Sequence, residues 1–304
     1  MVLKSSSLLI ILLFPQISFS EIIDGQLTVN GAVRTYHLFI PDHSDLNKKL
    51  PLVIMLHGGG GTGEQMIRFT HFNDLAEQDT FLVVYPDGLH RGWNDHRIGD
   101  KLPHEQDDVK FISMLIDEIV AHHAADPKRV FATGISNGAI FSLFLAQELS
   151  EKILAIAPVC GSIPANYAST YHINQPLSIL MINGTDDPLV KYEGGPVLSK
   201  RSHRGDVIST DSMVYLLTKR YHCMAPVRRQ EFADVNLKDR CHAEKYIYPT
   251  CSATQIILIK IIGGGHTWPG GFQYLPKRVV GNVCKDFNAA SEIWNFFKSL
   301  PVRE

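Results

Sequence analysis

Two kinds of hydrophobic pattern alternate along this chain. Gln26-Leu27-Thr28-Val29 and Arg34-Thr35-Tyr36-His37-Leu38-Phe39 switch between polar and apolar positions on either side of Asn30-Gly31. That pair suits the positive φ angles of a tight turn, so Glu21 to Ile40 is predicted to form a hairpin. A continuous apolar run follows at Pro51–Leu56, and further largely apolar, strand-like runs at Phe81–Tyr85, Arg129–Ala132, Ile153–Val159, Leu177–Ile182 and Gln255–Ile262. Runs of that length mark strands buried on both faces of a parallel sheet. Between them the spacing turns helical. Asn73 to Asp79 reads as the end of a helix, and Phe111, Ile112, Leu115, Ile116, Ile119 and Val120 form one stripe. Ala139–Ala146, Asp206–Tyr221 and Asn288–Leu300 are further helical stretches, whereas 223–254 is the least regular part. Strands alternating with helices predict an α/β class, a mainly parallel sheet with helices on both faces. No repeat, linker or second compositional block interrupts residues 21–304, which predicts a single domain.

The first twenty residues follow another rule. Lys4 gives a weakly positive start, Leu8 to Phe14 is a short apolar run, and Ser18-Phe19-Ser20 is a small-x-small cleavage signal. The run is too short to span a bilayer. A secretory signal peptide cleaved after Ser20 is predicted, with no cysteine nearby for a lipid anchor. Export would make disulfides possible. The five cysteines are Cys160, Cys223, Cys241, Cys251 and Cys284, and an odd count leaves at least one thiol unpaired within the chain. No Cys-x-x-Cys or His-Glu-x-x-His spacing points to a metal. Composition is ordinary and net charge is −2, so no basic excess suggests nucleic acid or an anionic membrane surface.

The chemistry gathers at the ends of the apolar runs, where open parallel sheets carry their sites. Gly134-Ile135-Ser136-Asn137-Gly138 joins a strand to a helix, the context of a nucleophile elbow. The two glycines lack the β-carbons that would clash at so sharp a turn. The N–H of Asn137 would open a helix beside Ser136, where the dipole favours an oxyanion. His57-Gly58-Gly59-Gly60-Gly61 ends the first run, Asp186-Asp187 follows Leu177–Ile182, and His266 follows Gln255–Ile262. Oxyanion loop, Ser, Asp, His is the chain order of α/β-hydrolases. A serine hydroxyl needs an adjacent base, and the base needs a carboxylate to fix its tautomer. His57 is expected to shape the loop rather than act as base. Asp107-Asp108 could be mistaken for an acid/base couple but sits where helix N-termini favour acids. His122-His123 lies near a helix C-terminus, where dipole compensation suffices.

Taken together, Leu56-His57-Gly58-Gly59-Gly60-Gly61, Tyr85-Pro86-Asp87-Gly88, Asp107-Asp108-Val109, the elbow, Gly184-Thr185-Asp186-Asp187-Pro188 and Gly264-Gly265-His266-Thr267-Trp268-Pro269-Gly270 resemble the secreted polyhydroxybutyrate depolymerase/feruloyl esterase family. These are carboxylesterases of the α/β-hydrolase fold, related to carbohydrate esterase family 1. The resemblance implies Ser136 as nucleophile, His266 as base and Asp187 as acid, with oxyanion donors at the N–H groups of Gly59 and Asn137. It also points to Trp93, Asn94 and Trp268 as substrate-binding, although the same aromatics are of a type that fills a core. A Cys223–Cys251 bridge matches a pairing common in the family, and Cys160 is expected to be a buried free thiol.

The sequence thus predicts a secreted serine esterase that needs no metal or organic cofactor. Its expected substrates are soluble: short-chain acyl, hydroxycinnamoyl or small hydroxybutyrate oligomer esters. Action on solid polyester is expected to be slight, since no linker or surface-binding module is recognisable. Two other readings share this fold: a prolyl-oligopeptidase-like peptidase, and an inactive secreted binding protein.

Overall fold

The fold is that of a computed structural model, described for residues 20–42, 48–99, 106–199, 202–220, 226–249 and 254–302. Its first strands, β1 (Glu21–Val29) and β2 (Ala32–Ile40), form an antiparallel hairpin. They are closed by Asn30 and Gly31 at φ 49° and 84°. Next come β3 (Leu50–Leu56), β4 (Leu82–Pro86), β5 (Ala125–Ile135), β6 (Ala155–Val159) and β7 (Ser178–Gly184). The rest are β8 (Gly195–Ser199), β9 (Ser202–Val207), β10 (Arg228–Glu231), β11 (His242–Tyr248) and β12 (Ile256–Ile262). Ten strands make one sheet in the order β1-β2-β4-β3-β5-β6-β7-β12-β11-β10, and β8 and β9 form a separate hairpin. From β4 through β12 every neighbouring pair is parallel. Antiparallel strands flank this centre on both sides.

The helices are α1 (Gly63–Thr70), α2 (Phe72–Asp79), α3 (Asp108–His122), α4 (Asn137–Glu148), α5 (Thr210–Arg220), α6 (Lys277–Val280) and α7 (Ala289–Lys298). Alternation along β3 shows how they are held. Leu52, Ile54 and Leu56 join a core with Phe111 and Leu115 of α3 and Phe141 and Leu145 of α4. Val53 and Met55, on the opposite face, join a second core with Phe72, Trp294 and Phe297. Successive side chains of a strand point to opposite faces, so an unbroken apolar run requires cover on both. Trp294 stacks on Phe81 at 3.7 Å and donates its indole N–H to Asp79 across 215 residues of chain.

Sequence and structure part company where burial is weak. The segment read as least regular contains β10 and β11, held by ladder pairing at a sheet edge. All four residues of β10 are exposed, which leaves no hydrophobic run to read. The helix expected from Asp206 starts at Thr210, because Asp206 and Val207 belong to β9. Ser209 caps it by accepting from the Ser212 N–H at 3.0 Å. The hairpin β8–β9 and helix α1 were not foreseen at all. Asp107 caps α3, accepting from the Lys110 N–H at 3.0 Å. Asp108 does something further: it is buried, pairs with Arg34 at 2.6 Å and accepts from the Asn94 N–H at 2.7 Å. Cys160, Cys241 and Cys284 are buried free thiols. Residues 1–19 of the expected leader, and both Cys223 and Cys251, lie outside the described residues. Among the described residues no helix is long and apolar enough to cross a membrane.

Candidate active site

Strand β5 runs straight into the elbow. Ser136 adopts φ 59° and ψ −120°, a strained conformation for a non-glycine residue, and α4 begins at the next residue. A β-carbon on Gly134 or on Gly138 would stand 2.5 Å from the Leu56 carbonyl, so only glycine allows β3, the turn and α4 to meet.

The loop after β3 is fixed from beneath. His57 Nδ1–H donates to the Gly58 carbonyl at 2.8 Å, and its Nε2 accepts from the Gly88 N–H at 2.9 Å. Both ring nitrogens are thereby committed to a neutral imidazole, and burial holds its pKa below the ordinary value. Trp93 donates its indole N–H to the His57 carbonyl at 2.9 Å and stacks flat on Phe141. Asn137 faces the same loop. Its Oδ1 accepts from the Trp93 N–H, and its Nδ2 donates to Trp93 O and to Asp95. Asp95 in turn pairs with buried Arg97 at 2.7 Å. Gly60 N–H is tied to the Arg91 carbonyl, and no hydrogen bond within the described residues uses the Gly59 N–H.

From β7 and β12 come the acid and the imidazole. His266 Nδ1 donates to Asp187 Oδ2 at 2.7 Å, and both side chains are almost wholly buried. The other oxygen, Oδ1, accepts from the N–H groups of Leu189 and Val190, each at 2.8 Å. Asp187 is therefore held on both sides. Asp186 is exposed and bonds the Thr185 hydroxyl. Behind the pair lies Cys160, its sulfur 3.4 Å from the Thr267 carbonyl. Burial pushes this thiol well above its usual pKa, and the Asp187 carboxylate adds to the shift. It stays protonated and is no rival nucleophile. Sulfur, carboxylate and imidazole atoms lie within 4.8 Å of one another, as do those of Glu231, His242 and Glu244. Asp187's oxygens in the first set, and Glu244's pairing with Arg229 in the second, already engage these groups within the protein.

Ser136 and His266 open on one cavity of about 510 Å³, lined also by Gly58, Gly59, Met66, Phe69, Leu189, Phe272, Tyr274 and Leu275. Phe69 meets Phe272 and Tyr274 edge to face at 5.5 and 5.4 Å, and Tyr274 donates to the His266 carbonyl at 3.1 Å. Trp93, Asn94 and Trp268, expected from the sequence to bind substrate, are not in that lining. Trp93 is buried beneath the glycine loop after β3, Asn94 is buried against Asp108, and Trp268 lies behind Phe69 with its indole N–H unpartnered among the described residues. The sequence reading missed the residues that do line it. Phe272 and Tyr274 directly follow the His-Thr-Trp-Pro-Gly block as isolated aromatics in a polar loop, a signal that was legible. Phe69 belongs to the unforeseen α1.

An open, mostly parallel sheet with an elbow serine, an acid and a histidine at its strand ends is the α/β-hydrolase fold, and the chain is a carboxylic ester hydrolase of that class. Residues 34–175 match the model of the family described as Esterase PHB depolymerase. Putative esterase NocK of Nocardia uniformis subsp. tsuyamanensis is 29% identical over 289 residues, covering 89% of this chain and 81% of that protein. Probable feruloyl esterase C of Aspergillus niger is 27% identical over 183 residues, covering 59% and 63%. The bifunctional acetylxylan esterase/xylanase XynS20E of Neocallimastix patriciarum is 31% identical over 164 residues, covering 54% of this chain and 23% of its own length. Among solved structures, the acetyl xylan esterase from Aspergillus awamori matches with a TM-score of 0.57 at 15% identity, over 81% of this chain and 94% of that one. That likeness is one of fold.

Proposed function

We propose that the chain is a secreted serine carboxylesterase working as one catalytic domain over residues 21–304. Ser136 is the nucleophile, His266 the base and Asp187 the acid. The observation that carries this reading is the doubly anchored Asp187 on His266 Nδ1, opening on the same cavity as the strained Ser136. With Nδ1 engaged, Nε2 of His266 is the nitrogen left to take the serine proton. Ser136 Oγ attacks the ester carbonyl as His266 accepts its proton. The oxyanion forms against the N–H groups of Gly59 and Asn137. His266 returns the proton to the leaving alcohol, and water then releases the acyl group from Ser136 by the same route. No metal or organic cofactor enters these steps.

The aromatic lining suits a flat or apolar acyl group. Together with the names of the relatives, it supports soluble short-chain acyl, hydroxycinnamoyl or hydroxybutyrate oligomer esters as substrates. The test is fluorophosphonate labelling of the purified protein, with the adduct mapped by mass spectrometry. Stoichiometric modification of Ser136 is expected. Lack of reaction, or modification at another serine, would overturn the assignment.

A further inference from the structure

The hairpin β8–β9 brings a cation to the oxyanion loop that nothing in the fold requires. A β-carbon on Gly59 would stand 2.9 Å from Arg204 Nη1 and 3.7 Å from Asn137 Cβ. The guanidinium thus rests over the seam where the two proposed oxyanion donors meet. Its own Nε is buried without a partner, and Arg204 makes no hydrogen bond or ion pair among the described residues. Acids on the surrounding elements are engaged elsewhere. Asp95 holds Arg97 and Asn137, Asp206 meets His203, and Asp187 holds His266.

Nor is this a loose surface arginine. Gly205, at φ 76°, packs against Arg97 Cβ and Ile98, and a β-carbon on Gly99 would strike the Arg204 backbone at 2.8 Å. The far end of β9 is tied to the loop that follows β6 by the Ala165 N–H to Asp206 O bond and the Ile208 N–H to Ile163 O bond. A half-buried guanidinium held in place without a counter-charge is unfavourable for folding. The same group is a pre-organised fork for a carboxylate or similar oxyanion. Arg204 lies beside Gly59 and is not among the residues lining the Ser136 cavity, so a group bound to it would belong to a part of the substrate that projects past Gly59.

We propose that Arg204 determines specificity by binding an anionic group, carboxylate in the first instance, carried by the ester a few bonds from its scissile carbonyl. The proposal rests on the esterase reading above. The substrate class becomes acidic esters: half-esters of dicarboxylic acids, or esters of hydroxy acids and acidic sugars.

The test compares matched pairs of soluble esters on wild type, Arg204→Met and Arg204→Lys. One pair carries the charge on the acyl side, an aryl hemisuccinate against the aryl butyrate. The other carries it on the alcohol side, acetoxybenzoate against its amide. Wild type is expected to prefer the charged member of at least one pair by roughly 10- to 100-fold in kcat/KM, the scale of a charge-assisted bidentate contact. In Arg204→Met that ratio should fall toward one through a rise in KM, with Arg204→Lys intermediate. Succinate should inhibit wild type competitively and succinamide should not, a readout that survives if a variant misfolds. No preference for either charged member and no inhibition by succinate would overturn the proposal. Equal losses of kcat on charged and neutral esters would also overturn it, placing Arg204 at the reaction's own oxyanion. Failure of the esterase reading looks different, since no ester of either kind would then be turned over.

Discussion

The two walls of the cavity are built from different materials. On one side His57, Trp93, Asn137, Asp95 and Arg97 form a buried network of directional bonds beneath the oxyanion loop. On the other, Phe69, Phe272, Tyr274 and Leu275 form an aromatic and aliphatic rim, with Phe272 and Leu275 substantially exposed. Hydrogen bonds in a low-dielectric interior fix positions to tenths of an ångström, whereas apolar contacts are non-directional and tolerate a change of shape. The first wall is suited to hold reacting atoms, and the second to accept differing acyl groups. Chemistry and selectivity should therefore respond separately to mutation.

The largest effect is expected from Ser136→Ala, a loss of roughly 10⁶-fold in kcat with the fold intact. Circular dichroism and single-turnover assays together check this, and near-normal turnover would end the proposal. Next, Asp187→Asn should reduce kcat by roughly 10³- to 10⁴-fold, because the amide can present the wrong tautomer to His266. Asp186→Asn should change it by no more than about twofold, as an exposed polar substitution does. The reverse ranking would move the acid by one residue.

On the opposite wall, Phe272→Ala should cost about 10-fold in kcat/KM on an aryl-acyl ester, the value of an aromatic contact. Acetyl ester hydrolysis should hardly change. If both substrates suffer alike, the walls are not separable.

The smallest effect concerns acid. Burial lowers the pKa of His57, so the unfolded chain binds its proton more readily than the folded one. Stability from neutral His57 is complete above about pH 6.5 and declines as pH falls toward its folded value. His123, also lowered by burial, acts in the same sense. Denaturation at pH 7.5 and pH 5 should show a smaller difference in His57→Gln than in wild type. An unchanged difference would remove His57 from the account.

The two walls were also unequally legible in the sequence. The network wall could be read in part, because elbow and loop need glycines, and glycines at fixed spacing are visible. What could not be read was which side chains lie under the loop: Trp93 stands in a polar stretch yet is fully buried through its bonds to His57 and Asn137. The rim was harder, since α1 has only a short apolar stripe and residues 272–275 follow no period. Asp186 and Asp187 are adjacent and chemically identical; what separates them is the pair of N–H groups at Leu189 and Val190, which only folding brings to one carboxylate. Strands β10, at the sheet edge, and β11 beside it escaped for a third reason, a backbone ladder that needs no hydrophobic run.

The last helix has a consequence for how the enzyme is made. Phe81, just before β4, and Phe131, in β5, are made early and find their partners in Trp294 and Phe297 of α7. Contacts that distant in sequence form late and slow the search for the native state. A nascent chain that has emerged past the elbow serine still presents a bare aromatic face, where transient association invites aggregation. Ribosome-bound chains stopped before Trp294 should therefore be protease-sensitive and chaperone-dependent. The elbow at Ser136, near the middle of this sequence, is thus packed on a core that is complete only once α7 has been made.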